Sequence, residues 1–122
     1  MSKGVYILTG IVILITLSFG LVFNPVPTVL EEQALLERGI VKSISEGGIN
    51  DIVFVLENTD TRFYINRGLE NGLDLNILKE KLIGNEVVFK YPRYWTPLDW
   101  NNKLKHLSKV EFGKDIIFNE FR

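Results

Sequence analysis

Cysteine is absent from this 122-residue chain, histidine occurs once, as His106, and the single methionine is Met1. The first absence removes disulfides, a thiolate nucleophile and Cys-based metal sites. It leaves the redox compartment open, because a chain without cysteine suits either side of a membrane. A surplus of charge is missing as well, since 14 basic side chains face 15 acidic ones. Net charge therefore gives no support to a protein that holds a polyanion by its overall field, and any electrostatic effect must be local. No internal repeat or low-complexity segment breaks the chain, and its length fits one compact domain plus whatever lies outside it.

One further absence is confined to a single stretch: no charged residue occurs between Lys3 and Glu31. Within it, Val5 to Phe23 is a nineteen-residue apolar run interrupted only by Thr9, Gly10, Thr16, Ser18 and Gly20. At about 1.5 Å rise per residue, such a helix covers roughly the 30 Å hydrocarbon core of a bilayer. The hydroxyls can bond back to helix carbonyls, small residues are tolerated in lipid, and the run lacks the polar face of a buried helix in a small domain. Residues 1–23 are therefore expected to be a transmembrane anchor, seated in the lipid bilayer through residues 5–23, with Pro25 and Pro27 ending the helix. The alternative is a signal peptide, with Lys3 as its basic start and Ser18 and Gly20 as small residues before a cut, which would leave a secreted protein. Leu21, Val22 and Phe23 argue against it by carrying the apolar run past the point where a polar cleavage region should begin. Lys3 before the span, and Glu31, Glu32 and Glu37 after it against Arg38 alone, orient the amino terminus to the cytoplasm and the carboxy-terminal domain outside. In a bacterium that is the envelope.

Residues 24–38 read as a Pro-containing linker and short helix. Thr28 and Glu31 have capping-box spacing, Leu30, Ala34 and Leu35 follow at helical spacing, and Gly39 offers a stop. A second reading takes "ALLERGIVKSIS" as the start of one long strand, since its branched residues favour extension. The paired carboxylates Glu31 and Glu32 are expected to be solvated.

From residue 39 to 122 the pattern is that of a small mainly-β domain. "GIVKSIS" is a first strand without a clean polar face. "DIVFVLE", with Ile52 to Leu56 all apolar, is a central strand covered on both faces. "RFYINRG" points Phe63 and Ile65 inward and Arg62, Tyr64 and Asn66 outward. "LDLNILKEKLIGN" switches to helical spacing, with Leu75, Leu78 and Leu82 in one stripe, Asp74 as N-cap and Gly84 as stop. "EVVFKY", "KHLSKVEF" and "DIIFNEF" return to strand, the last two joined by the tight turn "GK". The expected core is Ile52, Phe54, Leu56, Phe63, Ile65, Val87 and Phe89.

The order of three strands, one helix, and two or three strands resembles the OB-fold, a small Greek-key barrel with its helix between the third and fourth strands. The resemblance spans Gly39 to Phe121 and rests on element order. An SH3-like barrel, or a curved sheet packed on one helix, fits the same string, so the expectation is a barrel of five to six strands with one helix.

In this arrangement "YPRYWTPLDWNNKLKH" connects the fourth and fifth strands. The resemblance implies that this connection and the one between strands one and two bind oligonucleotides or oligosaccharides. The residues point the same way: Tyr91, Tyr94, Trp95 and Trp100 can stack on rings, while Arg93, Lys103 and Lys105 can hold anionic groups. The competing reading folds Trp95 and Trp100 back over an open barrel end, with Pro92 and Pro97 stiffening a packed loop. Residues 39–122 carry twelve basic and twelve acidic side chains, whereas 86–110 carry five basic against two acidic. A local basic patch without a basic domain makes a protein, an envelope glycan or the lipid interface a better partner than nucleic acid. His106 shares strand parity with Val110 and Phe112 and is expected to be a buried or half-buried structural imidazole. An Asp99–His106 dyad would lack a nucleophile or a metal, because no nucleophile-elbow serine and no metal-ligand spacing is present. The chain thus reads as a non-enzymatic, cofactor-free interaction module on a membrane tether, with a single-stranded nucleic-acid or oligosaccharide binder as the alternative.

Overall fold

The computed structural model describes residues 3–22, 26 and 29–121. Helix α1 (Lys3–Val22) has no acidic residue in its first turn and no basic one in its last. The span Lys3–Leu21 is long and apolar enough to cross a membrane or to serve as a signal sequence, and none of it is buried against the rest of the chain. Thr9 and Thr16 donate their hydroxyl protons to the carbonyls of Val5 and Val12, both at 2.9 Å, so both threonine hydroxyls of the run are satisfied within the helix. The two prolines expected to end it, and Thr28 of the expected cap, lie outside the described residues.

The rest is a mainly-β domain built on a seven-stranded sheet: β1 (Leu35–Gly47), β2 (Asp51–Leu56), β3 (Arg62–Ile65), β4 (Glu86–Tyr91), β5 (Leu104–His106), β6 (Lys109–Phe112) and β7 (Asp115–Asn119), with α2 (Leu75–Leu82) between β3 and β4. The order across the sheet is β5-β3-β2-β1-β4-β6-β7. Among the described residues, the connector contributes a short 3-10 turn, Glu31–Gln33, where a helix is expected. Leu35 to Arg38 are already strand, and Gly39 lies inside β1 rather than at a helix stop. Its lack of a side chain is used there, because a Cβ would come within 2.9 Å of Leu56 Cδ1.

Strand β1 serves two neighbours. Leu35–Ile40 pair with β4, and Val41–Gly47 pair with β2. A register shift between Val41 and Ser43 separates the halves, and Val41 and Ile44 are both buried although three residues apart. A bulge that resets the inward face explains why simple alternation found no polar face in "GIVKSIS".

All seven expected core residues are buried, joined by Val41, Ile44, Leu78, Leu82, Leu107 and Val110. Phe54 meets Phe89 edge-on at 5.3 Å between ring centroids, and Phe63 lies 4.9 Å from Phe89. Helix α2 closes one side of this core. Asp74 Oδ1 accepts from the Ile77 N–H at 3.0 Å as its cap, and Leu78 and Leu82 face inward. Val53, on the opposite face of β2, is also buried, while Val55 is half-buried, so the central strand is covered more fully inside than outside.

The segment "KHLSKVEF", expected as one strand, divides at Leu107–Ser108 and raises the number of strands to seven. β5 runs parallel to β3, whereas β6 is antiparallel to β4. The two residues between them bond in opposite directions: the Leu107 N–H donates to the Tyr64 carbonyl of β3 and the Ser108 N–H to the Lys90 carbonyl of β4, both at 2.8 Å. The same step shifts strand phase. Leu107 and Val110 both enter the core, and His106 turns to the outer face beside Tyr64, with ring centroids 5.3 Å apart. The imidazole is half-buried as expected, but not on the face of Val110.

Candidate functional site

Residues 92–103 form the connection between β4 and β5, and their backbone is organised by Asp99. Its Oδ1 accepts from the N–H groups of Lys103 (3.0 Å) and Leu104 (3.1 Å). Its carbonyl accepts from the Trp95 indole N–H at 2.6 Å and from the Asn102 N–H at 3.0 Å, and its own N–H donates to the Thr96 carbonyl at 3.0 Å. Pro92 and Thr96 are buried beneath the loop. One short carboxylate side chain thus substitutes for a ladder partner, as aspartate does in turns.

This scaffold leaves the loop's large apolar side chains outside. Trp95 is 47 % exposed, Leu98 72 % and Trp100 86 %. Trp100 does not fold back over the sheet, which removes the packed alternative for that ring. Trp95 is tied by its N–H to the Asp99 carbonyl and still has about half its surface open. Tyr91 belongs to the margin of the core: its ring meets Phe63 at 5.8 Å, and burial, with Glu37 adding to it, raises its hydroxyl pKa.

Five of the seven expected contact residues, Tyr91, Arg93, Tyr94, Trp95 and Lys105, line one open cleft of about 370 Å³ together with Leu35. Trp100 and Lys103 do not line it. Lys103 is ion-paired with Asp60, whose carboxyl it holds below the usual range, and the Lys105 ammonium bonds Asn102 Oδ1 at 2.6 Å. Two of the three cations expected to receive an anion therefore already have partners within the domain. A second cleft, about 450 Å³, lies on the outer face of the sheet between the β1–β2 turn at Gly47–Gly48 and Leu104, and includes Arg62 and Tyr64.

Two polar clusters escaped the sequence reading. His106 Nε2 lies 2.8 Å from Glu120 Oε1, so its carboxylate neighbour is Glu120 and not Asp99. Burial works to raise the Glu120 pKa, but hydrogen bonds from His106 and Ser108 outweigh it and hold the group low. On the same outer face, burial first, and then Tyr94 and nearby carboxylates, push Tyr64 up to about 12. The second cluster centres on Glu31, which is not a solvated stalk carboxylate. Its Oε2 is 2.9 Å from Lys90 Nζ and its Oε1 3.0 Å from Lys109 Nζ, with Glu111 3.5 Å from Lys109. The hydrogen bonds from Lys90 and Lys109 lower the Glu31 pKa, and the bond to Glu31 raises that of Lys109. Glu32 is exposed. Partners 59 and 78 residues away leave no local signal in a sequence.

No family model matches this chain, and no significant match appears among curated proteins or solved structures.

Proposed function

We propose that this chain is a membrane-tethered interaction module. α1 stays in the bilayer as a single-pass anchor, the amino terminus faces the cytoplasm, and the β domain sits outside, in the envelope of a bacterial cell. The loop at 92–103 and the cleft beneath it are the contact surface for a partner protein, an envelope glycan or the lipid interface itself. The observation that carries this reading is the exposure of Trp100 (86 %) on a loop that Asp99 already holds in shape. A preorganised aromatic surface loses little entropy on binding, and tethering raises local concentration enough for a weak contact to matter.

A second reading, an OB-type binder of single-stranded nucleic acid or oligosaccharide, draws support from the pairing pattern. β1 is shared between β2 and β4, β3 runs parallel to β5, and Leu107 and Ser108 reach both β3 and β4. We infer from these pairings a closed OB-like barrel in which β5 and β6 act as one strand. The outer cleft at Arg62 and Tyr64 is then where such a ligand would lie.

A photo-crosslinking residue in place of Arg93, in the full chain in its own membranes, separates these ideas. A discrete protein or glycan adduct from position 93, absent from position 62 in the outer cleft and from position 114 on the β6–β7 turn, supports the interaction module. Equal labelling at all three positions, or a nucleic-acid adduct alone, refutes it.

A further inference from the structure

We propose that the exposed tip of the 92–103 loop, Leu98 and Trp100 with the open side of Trp95, docks onto the lipid interface of the membrane that holds α1. The inference rests on the reading of α1 as a retained anchor and names the occupant of the apolar part of the loop.

The tether gives the first argument. α1 ends at Val22, and the two-lysine clamp on Glu31 fixes the connector to β4 and β6. Only residues 23–30 separate the end of the helix from that clamp. The nine Cα–Cα steps from Val22 to Glu31 reach at most about 32 Å even when fully extended, so the domain is held within roughly its own diameter of the bilayer surface. The pole that faces the membrane follows from register. Leu35, four residues after the clamped glutamate, pairs with Tyr91, the last residue before the loop, and lines the cleft with Arg93, Trp95 and Lys105. The connector therefore enters the sheet at the end from which the loop leaves it.

Composition gives the second argument. Both tryptophans of the chain are in this loop. Indole rings, with an apolar body and a polar N–H, concentrate at headgroup depth, and flanking Arg and Lys side chains reach phosphates from there. Exposed apolar residues distant in sequence from this pole, such as Ile77 and Ile116, stand singly on α2 and β7. Leu30, just before the clamped Glu31, and Leu36, at the start of β1, are exposed as well. Because Asp99 fixes the loop, the rings are presented without ordering cost.

With two tryptophans, the protein carries its own probe. Full-length chain is reconstituted in phosphatidylcholine vesicles with and without brominated acyl chains, as wild type and as W95F and W100F. The expected result is that Trp100 emission, isolated in W95F, is blue-shifted, loses most of its intensity to brominated lipid and is shielded from aqueous iodide. The wild type, which needs no substitution, should show the same quenching, and W100F should show less. Chain retained through carbonate extraction whose Trp100 is open to iodide and untouched by brominated lipid overturns the docking alone. Chain released by carbonate overturns the docking and the anchor reading together.

Discussion

Two aromatic groups in this domain have similar chemistry and opposite fates. Phe54, Phe63 and Phe89 meet one another inside the sheet, while Trp95 and Trp100 stand on a loop at its rim. The difference lies in what fixes the backbone beneath them. Strand pairing aims alternate side chains at a common interior, so the phenylalanines are buried by the ladder that supports them. The loop has no ladder, and the bonds to Asp99 close it without consuming its rings. Burial therefore measures packing in one group and leaves surface available in the other.

The largest effect should come from the inner group. Phe54→Ala opens a cavity in the fully buried cluster and should cost about 3–5 kcal/mol, enough to unfold a domain of ordinary stability, as read by denaturant titration. Asp99→Ala strikes the outer group's scaffold. Leaving the Lys103 and Leu104 amides without their acceptor should cost about 1–2 kcal/mol and raise amide exchange across 95–104 while β1 to β4 stay protected. If exchange rises equally in β2, the two groups are not independent.

Acid should produce a smaller loss, confined to one pH window. Glu31 and Glu120 both have folded pKa values below the ordinary 4.5. The unfolded chain then binds more protons, so their contribution is present above that value and disappears as pH falls through the folded ones. A melting temperature that falls below that pH in the wild type, and falls less in a Glu31→Gln, Glu120→Gln double variant, is the expected result.

Trp100→Ala should have the smallest effect, under about 0.5 kcal/mol, because an exposed ring away from caps and cavities contributes little to folding. A marked drop in melting temperature would show that the outer group packs after all, against the exposure of its ring.

The inner group was legible in the sequence and much of the outer one was not, for physical reasons. Alternation in "RFYI" and "EVVF", the helical stripe of α2 with its Asp74 cap, and the uncharged run of α1 are local periodicities, and the structure has each of them. Alternation fails where the backbone inserts a residue or changes partner. The bulge after Val41 and the break at Leu107–Ser108 each reset phase, which hid the inward face of β1, divided one expected strand in two and moved His106 to the outer face. The loop could be located by its composition, but whether Trp100 is covered depends on Asp99 bonding forward to Lys103 and Leu104. The clamp on Glu31 joins residues from opposite ends of the domain, and only the fold brings them together.

The bonds of Leu107 and Ser108 also set a timetable for synthesis. Until these two residues emerge, β3 and β4 each present an unpaired edge, because β5 and β6, which cover those edges, follow them in the chain. A nascent domain carrying all its phenylalanines of β2, β3 and β4 is therefore a sheet with two open borders, the form most prone to pair with another chain. A stop codon placed just before Leu104 leaves both borders open and should yield aggregates, not a smaller soluble domain.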